Sequence, residues 1–526
     1  MVKKSATGVM IFKITILIAF FNLLSRFLGL IRDMVIARQF GASAATDAYL
    51  VAFTAPNLLF FIISGSLAAV VVPVFIEFST KKDKHEAWRI FNTVFNTVTI
   101  LFFIISAAGI LGAAGIVRLI APMLPDETAK LAAELAAIMF PLLIFSGWAS
   151  LFAGLLNANN IFGIPAFSNV ANNLVIIISA LTLGSIYGIY GLAAGTVIAM
   201  AIMAFIQIPA LIRAGCRYSP ALELGHPGVK KVFRLIMPAA LGITVNQAYI
   251  LIERIFASGM PSGSISSLNF ANKLVQFPIS LFVLALGTAV FPTLTRLSAI
   301  GEREEFSYTL TRLLKIMILG MVPASAGLIV LRYPIVALLF QRGEFDQRAV
   351  ELTSVALLFY SVGLAGQAAN IILTKAFYSL QDTRTPVKLT LITVLVNLVL
   401  SVLLIRFFQH GGLALANSLA SLTGTALFMI FLNKKVAFLK WVGFLKFTLS
   451  VLAATGLTAV ASYGVSAALA GFADARDAFG LAFQVGTAVL AGVAVFTASA
   501  VAFRIEEFYI LWNFLKGFIT GGRENS

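Results

Sequence analysis

The sequence is poor in charge, histidine and cysteine, and each shortage excludes a class of protein. Only 11% of the 526 residues are charged and 60% are hydrophobic, and a mean hydropathy of +0.97 excludes an ordinary soluble domain. The single cysteine, Cys216, excludes an intrachain disulfide. His85, His226 and His410 are scattered, so we expect them in loops and not in a catalytic cluster. The absence of a GxxxxGK motif excludes hydrolysis of a nucleotide in a P-loop.

Long apolar runs are what the chain does have. Each stretch of about twenty apolar residues is long enough to cross a hydrocarbon layer, where backbone groups must pair within the segment, and this predicts helices. The first run lacks a small-residue cleavage site, so we interpret it as a retained helix and not as a signal peptide. The sequence predicts an all-α polytopic membrane protein with fourteen spans, at residues 9–36, 44–76, 88–116, 130–156, 163–184, 188–213, 232–257, 264–297, 309–331, 348–378, 386–407, 411–433, 444–471 and 480–504.

The basic residues are distributed unevenly between the loops. The net charge is +16, yet the lysines and arginines are spread over short loops on alternate sides, which disfavours a nucleic-acid partner. Basic loops remain in the cytoplasm, so this pattern predicts that both termini are cytoplasmic. The predicted cytoplasmic residues are Lys81, Lys82, Lys84, Arg89, Arg213, Arg217, Lys230, Lys231, Arg234, Arg296, Arg303, Arg312, Lys315, Lys434, Lys435, Lys440 and Lys446.

The chain also matches itself weakly when it is shifted by a little under half of its length. A block at 52–79 resembles 271–298, Pro165 recurs as Pro386, and the Gly-Leu-Ala triplet that begins at Gly191 recurs at Gly412. Six spans per repeat make the two units parallel, and a substrate chamber is expected between such lobes. The predicted organisation is an N-terminal lobe at 1–220, a C-terminal lobe at 221–435 and two extra helices with a cytoplasmic tail at 436–526.

Three cations lie in or beside predicted spans: Arg26, Arg32 and Lys273. A basic side chain at the centre of a bilayer costs roughly 2.5–3.5 kcal/mol on insertion scales, so such a residue usually faces water or a partner charge. These residues therefore indicate a polar chamber that favours anions.

Several motifs resemble one membrane-protein family. The run SRFLGLIRD at Ser25–Asp33, the block Phe40–Leu58, the stretch Gly263–Leu297 and AFYSLQDTRTP at Ala376–Pro386 are together similar to the MurJ (MviN-type) lipid II flippases. The resemblance implies the fold of the multidrug/oligosaccharidyl-lipid/polysaccharide exporter superfamily. It also implies an activity without a cofactor: movement of lipid II, the undecaprenyl-diphosphate-linked peptidoglycan precursor, from the inner to the outer leaflet of the bacterial cytoplasmic membrane. Its implied partners are lipid II, membrane lipids and, as further candidates, proteins of cell-wall synthesis.

A diphosphate requires cations, and the planar fork of arginine suits paired oxygens. The resemblance places Arg32, Asp33 and Asp47 at the cavity, and we assign the phosphate contact to Arg32. The full set of candidate substrate-binding residues is Arg26, Arg32, Asp33, Asp47, Asn57, Glu253, Arg254, Asn272 and Lys273. Structural alternatives stay open: an interfacial pair for Arg32 and Asp33, an ion pair for Arg26, snorkelling for Lys273, and a salt bridge in a loop for Glu253 and Arg254.

The chain departs from the family pattern in two places. Family members often carry an arginine shortly after the Pro-Asn-Leu motif of the second helix, where this chain has Leu59, Phe60 and Phe61. In part of the family a sodium site uses carboxylates, whereas the corresponding residues here are neutral, so sodium coupling is not expected and no metal site is predicted. The weak candidates for an ion site are Asn246, Thr393, Asn397 and Asn417.

Three other functions remain as alternatives at this point. An exporter of another polyprenyl-linked glycan or of drugs would share the architecture. A non-transporting scaffold for wall-synthesis enzymes would need no intramembrane charge. A membrane transferase is disfavoured because the sequence offers no cluster of carboxylates or histidines for the chemistry, and we therefore do not expect an enzyme.

Overall fold

The protein is an array of helices. A computed structural model describes residues 2–81, 84–439, 441–471, 478–510 and 512, and within these ranges the regular structure is helical, without strands. Two of the predicted cytoplasmic residues, Lys82 and Lys440, lie outside the described residues. The helices are α1 (Val2–Phe40), α2 (Ala44–Lys81), α3 (Lys84–Leu111), α4 (Ala113–Ile120), α5 (Asp126–Met139), α6 (Leu142–Ala158), α7 (Gly163–Leu181), α8 (Leu183–Tyr187), α9 (Ile189–Phe205), α10 (Ile208–Arg213), α11 (Pro227–Ala257), α12 (Ser264–Ile300), α13 (Arg303–Val330), α14 (Arg332–Phe340), α15 (Gln347–Val362), α16 (Leu364–Ser379), α17 (Arg384–Phe408), α18 (His410–Val436), α19 (Trp441–Ala470) and α20 (Ala478–Ala502).

The helices account for most of the predicted spans. Within the described ranges, nine helices are long and apolar enough to cross a membrane, and up to eleven spans result if each bent pair counts as one. The other three predicted spans fall in α1, α11 and α12, which have 39, 31 and 37 residues. A helix rises by about 1.5 Å per residue, so each of the three is longer than a bilayer core requires. The multi-pass helical architecture is confirmed, and the count of fourteen spans stays a prediction.

Two of the predicted spans are broken helices. α5 and α6 meet at an angle of 43°, and α15 and α16 meet at 46°. Pro141 is the N-cap of α6 and Gly363 is the N-cap of α16, and both residue types interrupt a helix. A Cβ at Gly363 would lie 2.5 Å from the Cα of Ser418. The second break therefore also allows two helices to approach closely.

The chain forms two compact units. The first comprises Met1–Ser266 with Arg342–Phe345, and the second comprises Ser267–Gln341 with Asp346–Ser526. The first unit has an aromatic-rich core in which Trp88 packs edge-on against Phe75 and Phe91. A smaller cluster in the second unit joins Leu319 to Val451. The boundaries predicted from the repeat, at 220 and 435, stay predictions.

The two units share unusual backbone positions at one constant spacing along the chain. Asn160 and Gln381 have φ of 61° and 58°. At the same spacing, Gly188 and Gln409, the residues before α9 and α18, have φ of 59° and 51° with ψ of −141° and −132°. Side chains rarely adopt such angles. The same local backbone therefore occurs twice.

Close helix contacts recur at this spacing as well. A Cβ at Gly191 would overlap the carbonyl oxygen of Leu183, and one at Gly412 would overlap that of Leu404. Glycine is required at both positions because the backbone leaves no room for a Cβ. The Gly-Leu-Ala triplets seen in the sequence thus mark matching turns.

One helix of each unit holds a returning segment of chain through side-chain bonds. In the first unit, Asn92 and Asn96 of α3 donate hydrogen bonds to the carbonyl oxygens of Arg217 and Ser219 at 2.8 and 2.9 Å. In the second unit, hydroxyl groups of α13 make the corresponding bonds. Ser307 donates to the carbonyl oxygen of Val436 at 2.9 Å, and Thr311 donates to that of Phe438 at 2.7 Å. The two units thus achieve a similar contact with different side chains.

Two of the three histidines are not in loops, contrary to expectation. His85 lies within α3, and His410 is the first residue of α18. His410 is 4% exposed, and its Nε2 lies 2.9 Å from the carbonyl oxygen of Leu352. The turn at Gln409 starts α18 earlier than the apolar pattern indicates, which places His410 inside the helix. His226 is the N-cap of α11.

Candidate functional site

A charged cluster lies where α1 packs against α7 in the first unit. Arg32 donates from Nε and Nη2 to Oδ1 of Asp33 at 3.0 and 2.8 Å. Its Nη1 donates to Oδ1 of Asn173 at 3.1 Å. The Arg32 side chain keeps 23% of its surface exposed. Arg32 and Asp33 therefore form an ion pair within α1, and the guanidinium remains partly accessible.

Asn173 joins this cluster to the rest of α1. Its Nδ2 donates to the carbonyl oxygen and to Oγ of Ser25, in both cases at 3.1 Å. Gly29 faces the same amide, since a Cβ at Gly29 would lie 3.8 Å from Asn173 Oδ1. Sequence reasoning did not single out Asn173 as a partner of Arg32, because 141 residues separate the two.

Arg26 differs from Arg32 in its lack of a described partner. It is half-buried in α1, and it makes no hydrogen bond or ion pair with any described residue. The ion pair that was considered for it is therefore not seen among those residues. A guanidinium held inside a span without a counter-charge is costly, and it is suited to an external anion.

Asp47 serves the start of a helix. It is 3% exposed. One carboxylate oxygen accepts from the backbone N–H of Gly263 at 2.7 Å, and the other accepts from the N–H and the hydroxyl of Ser266 at 2.7 and 2.8 Å. A carboxylate at a helix N-terminus satisfies free N–H groups and complements the helix dipole. In this structure Asp47 anchors α12, and its oxygens are buried against that helix.

Glu253 and Arg254 form a second adjacent pair near the same point. Nη1 of Arg254 lies 3.9 Å from Oε1 of Glu253 and donates to the carbonyl oxygen of Ile265 at 3.5 Å. The pair stands at the end of α11, with Arg254 5% exposed. These contacts favour the structural alternative for this pair.

The remaining candidates are distributed over two helices. Asn57 is half-buried in α2, directly after Pro56. On α12, Asn272 is half-buried and Lys273 is exposed; these two belong to the second unit. Within the first unit, the structure therefore brings Arg32 and Asp33 into direct contact, and it places Asp47 and Arg254 together at the start of α12.

The second unit has a neutral polar network. Gln276 donates to Gln367 at 3.3 Å, and Gln367 donates to Oδ1 of Asn417 at 3.3 Å. Of the ion-site candidates, Thr393 donates to the carbonyl oxygen of Leu389 at 2.7 Å, Asn397 is 3% exposed, and the Asn246 side chain lies outside the described residues. No group of three or more His, Cys, Asp or Glu residues is placed to hold a metal ion in the part of the chain that the structure describes.

Asp382 and Cys216, which both lie outside the predicted spans, have strongly shifted pKa values. Burial opposes ionisation of Asp382, but hydrogen bonds from Lys435 and Thr385 outweigh it and lower the pKa of the carboxyl group to about 2. Burial raises the pKa of the Cys216 thiol to about 11. Asp382 is thus ionised and Cys216 is a neutral thiol at pH 7.

A profile of the family described as "Lipid II flippase MurJ" matches residues 36–475. The chain belongs to the MurJ lipid II flippase family. It is 32% identical over 409 residues to the probable lipid II flippase MurJ of Buchnera aphidicola subsp. Acyrthosiphon pisum, covering 77% of this chain and 80% of that one. It is 31% identical over 454 residues to the lipid II flippase MurJ of Burkholderia cenocepacia, covering 84% and 88%.

Solved structures agree with this assignment. A lipid II flippase MurJ in an inward closed conformation superposes with a TM-score of 0.78 at 26% identity, covering 93% of this chain and 99% of that one. An inward-facing multidrug resistance MATE transporter of the MOP superfamily has a TM-score of 0.66 at 15% identity, covering 80% and 98%. The MurJ match and the MATE match together confirm the predicted exporter fold.

Proposed function

We propose that this protein is a flippase that moves lipid II from the inner to the outer leaflet of the bacterial cytoplasmic membrane by alternating access. The observation that carries the proposal is Arg26, a cation without a partner among the described residues of a chain in the MurJ family. A diphosphate supplies the missing negative charge. The large polar head of lipid II would lose its hydrogen bonds to water in hydrocarbon, so a protected polar path is required.

Arg26 and Arg32 have different parts in this proposal. Arg26 binds the diphosphate directly because its guanidinium has no competing carboxylate among the described residues. Arg32 lies one to two turns further along α1, where hydrogen bonds to Asp33 and Asn173 fix its position. The carboxylate of Asp33 partly neutralises its charge. This assignment moves the main phosphate contact from Arg32, to which we assigned it from the sequence, to Arg26.

The proposed orientation has both termini in the cytoplasm, which places the basic loops on that side. The cell-wall synthesis proteins that supply and consume lipid II are the proposed protein partners. The proposed activity needs no covalent chemistry from this chain, since binding, reorientation and release move the lipid without breaking a bond. Membrane potential supplies roughly 2.3 kcal/mol per charge per 100 mV as a source of drive.

Charge removal at Arg26 tests the proposal. In a bacterium depleted of its own flippase, Arg26→Gln should reduce lipid II in the outer leaflet at least tenfold, while Arg26→Lys keeps part of the activity because a point charge still binds phosphate. Arg118→Gln is the matched control, since Arg118 pairs with Asp126 and is exposed. A leaflet-resolved assay of lipid II measures the effect at equal protein levels.

Full translocation by Arg26→Gln would contradict the role of Arg26. Equal outer-leaflet lipid II with and without the wild-type protein would contradict the function itself. Binding of purified wild-type protein to lipid II and to another polyprenyl-diphosphate glycan separates lipid II transport from export of a different lipid-linked sugar. Equal affinity for the two lipids would favour the second function.

A further inference from the structure

The first unit contains a cavity that the charged cluster does not explain. Its volume is about 560 Å³, and α1, α2, α6, α7 and α9 supply its walls. Four asparagines line it: Asn22, Asn157, Asn169 and Asn172. None of the described residues that line this cavity, which we call the amide cavity, is ionisable. Its chemistry therefore suits an uncharged group that forms several hydrogen bonds.

Three of the four amides of the cavity, those of Asn22, Asn157 and Asn172, are available to a ligand, whereas Asn169 donates to the carbonyl oxygen of Pro165 at 3.1 Å. Asn22 and Asn157 are exposed, and neither makes a side-chain hydrogen bond with a described residue. Asn172 is 7% exposed, and its only such bond within the described ranges is a weak one to Sδ of Met200 at 3.6 Å. Polar groups within a span are unfavourable without partners. A ligand with hydroxyl and amide groups would provide those partners.

An aromatic wall faces the same space. Phe60 and Phe61 both line the cavity, and their ring centroids lie 5.4 Å apart. Phe61 is 44% exposed, so part of its ring is open to a ligand. Aromatic rings beside a few placed polar groups are the usual lining of a small-molecule site. The C–H faces of a sugar ring fit such a wall, whereas a phosphate does not.

Arg26, which has no partner among the described residues, lies one helical turn beyond the α1 residue Asn22 of the amide cavity. Arg26 follows Asn22 by one turn of the helix, so the two side chains lie on one face, about 6 Å apart along its axis. A sugar attached directly to a diphosphate places its ring within a similar distance of the phosphorus atoms. One ligand can therefore reach both residues.

We propose that the amide cavity binds the uncharged sugar next to the diphosphate of the lipid-linked substrate, while Arg26 binds the diphosphate. The inference rests on the proposed function, and it adds the part of the protein that recognises the saccharide. Asn22 and Asn157 supply hydrogen bonds to the sugar, and Phe61 packs against its apolar face. Selectivity for a glycosylated lipid over a bare one then arises in this cavity.

The test compares two lipids and two forms of the protein. Purified full-length protein in nanodiscs is titrated with lipid II and with undecaprenyl diphosphate, which lacks the saccharide. The double variant N22L/N157L should bind lipid II roughly tenfold more weakly, because it loses two sets of hydrogen bonds, and should bind undecaprenyl diphosphate as the wild type does. Thr182→Val is the matched control, since Thr182 is exposed on the same unit and its hydroxyl donates to Ile178 of its own helix.

A second variant fills the cavity. Ala153 lines it, so Ala153→Phe should exclude the sugar and weaken lipid II binding more than tenfold while leaving undecaprenyl diphosphate binding unchanged. This variant adds apolar volume and leaves every asparagine in place. Agreement between the two variants would separate loss of the site from loss of the fold.

The outcomes distinguish the inference from the proposed function. If the wild type prefers lipid II and both variants keep that preference, the inference is overturned and the proposed function stands. If the variants weaken the binding of both lipids equally, the cavity does not recognise the sugar and the inference is overturned. If the wild type binds neither lipid, both the inference and the proposed function fail.

Discussion

Two pairs of adjacent, oppositely charged residues lie at matching positions in the chain, separated by the same spacing as the two turns. The order of the basic and the acidic residue is reversed between them. The first is Arg32–Asp33 in α1, and the second is Glu253–Arg254 in α11. In the first pair, the side chains touch at 2.8 Å and Arg32 keeps 23% of its surface. In the second pair, the distance from Arg254 Nη1 to Glu253 Oε1 is 3.9 Å, and 6% of the Arg254 side-chain surface is exposed. The arginine of the α1 pair is therefore accessible, whereas the arginine of the α11 pair is buried.

The difference shows that a charge within a span is not by itself a sign of a binding site. The α11 pair lies beside the start of α12, where Asp47 already anchors the helix. The α1 pair shares its helix with Arg26, which has no partner among the described residues. What distinguishes a ligand-binding cation is whether the protein itself has already supplied its counter-charge.

The largest effect is expected at Asp47. Asp47→Ala removes the acceptor of three hydrogen bonds at the start of α12. Buried donors are then left without a partner, which should lower the free energy of unfolding by about 3 kcal/mol. Thermal unfolding in detergent measures the loss. Asp346→Ala is the control, because the Asp346 carboxylate caps α15 by accepting a hydrogen bond from the backbone N–H of Ala349, and its loss should cost about 1 kcal/mol. Equal effects would remove the structural role assigned to Asp47.

The matching glycines test the spacing on which the comparison depends. A Cβ at Gly191 or Gly412 would overlap a carbonyl group, so either change to alanine should cost about 2 kcal/mol through forced backbone shifts. Gly456→Ala is the control, since a Cβ there would meet no described atom within 4 Å. A stable variant at one position and an unstable one at the other would show that the two turns are not equivalent.

Exchanging the two residues of the α1 pair tests directly whether the α1 and α11 pairs have different roles. The double change R32D/D33R gives α1 the charge order of α11 and moves the guanidinium about 100° around the helix, away from Asn173. Translocation of lipid II should fall about tenfold at an equal protein level, which corresponds to about 1.4 kcal/mol. The reciprocal change E253R/R254E should lower the melting temperature and leave translocation per folded molecule unchanged. Loss of activity from both swaps alike would contradict the distinction.

The smallest effect concerns Asp382, whose place in the first unit is taken by the apolar Ile161. The folded pKa of about 2 lies below the ordinary value of 3.8. Its stabilising contribution is therefore complete above about pH 4 and is lost as pH falls through 2. Lys435→Met should weaken this acid sensitivity and cost less than about 1 kcal/mol at neutral pH, as is usual for a surface pair. Unfolding of the wild type and the variant, measured from pH 5 to pH 2, tests this prediction. An identical pH profile for the two proteins would contradict the pairing of Asp382 with Lys435.

Much of the fold could be predicted from the sequence because membrane helices depend on composition. Apolar runs must be helical in hydrocarbon, so the positions of long helices followed from hydropathy alone. The breaks near Pro141 and Gly363 were less visible, since the same residue types also occur inside unbroken helices such as α2, which contains Pro56 and Pro73. Only packing decides which of them bends a span.

The candidate site was predictable in its residue types and less so in its contacts. Arg26 and Arg32 stood out because cations are rare in spans. The sequence suggested the pair of Arg32 with Asp33, which are neighbours in the chain. It could not show the bond from Arg32 to Asn173, which lies 141 residues away, or that Arg26 has no partner among the described residues. Asp47 shows the same limit: a carboxylate that holds a helix start has no local pattern distinguishing it from one that faces a substrate.

Gln409 gives the matching turns a practical consequence. It holds nearly the same backbone angles as Gly188, but it bears a side chain in a region that suits glycine, and such strain costs of order 1–3 kcal/mol. Gln409→Gly would release that strain without touching Arg26 or the amide cavity. The first half of the chain thus offers a template for thermostabilising the second, which is useful for a membrane protein that must survive extraction into detergent.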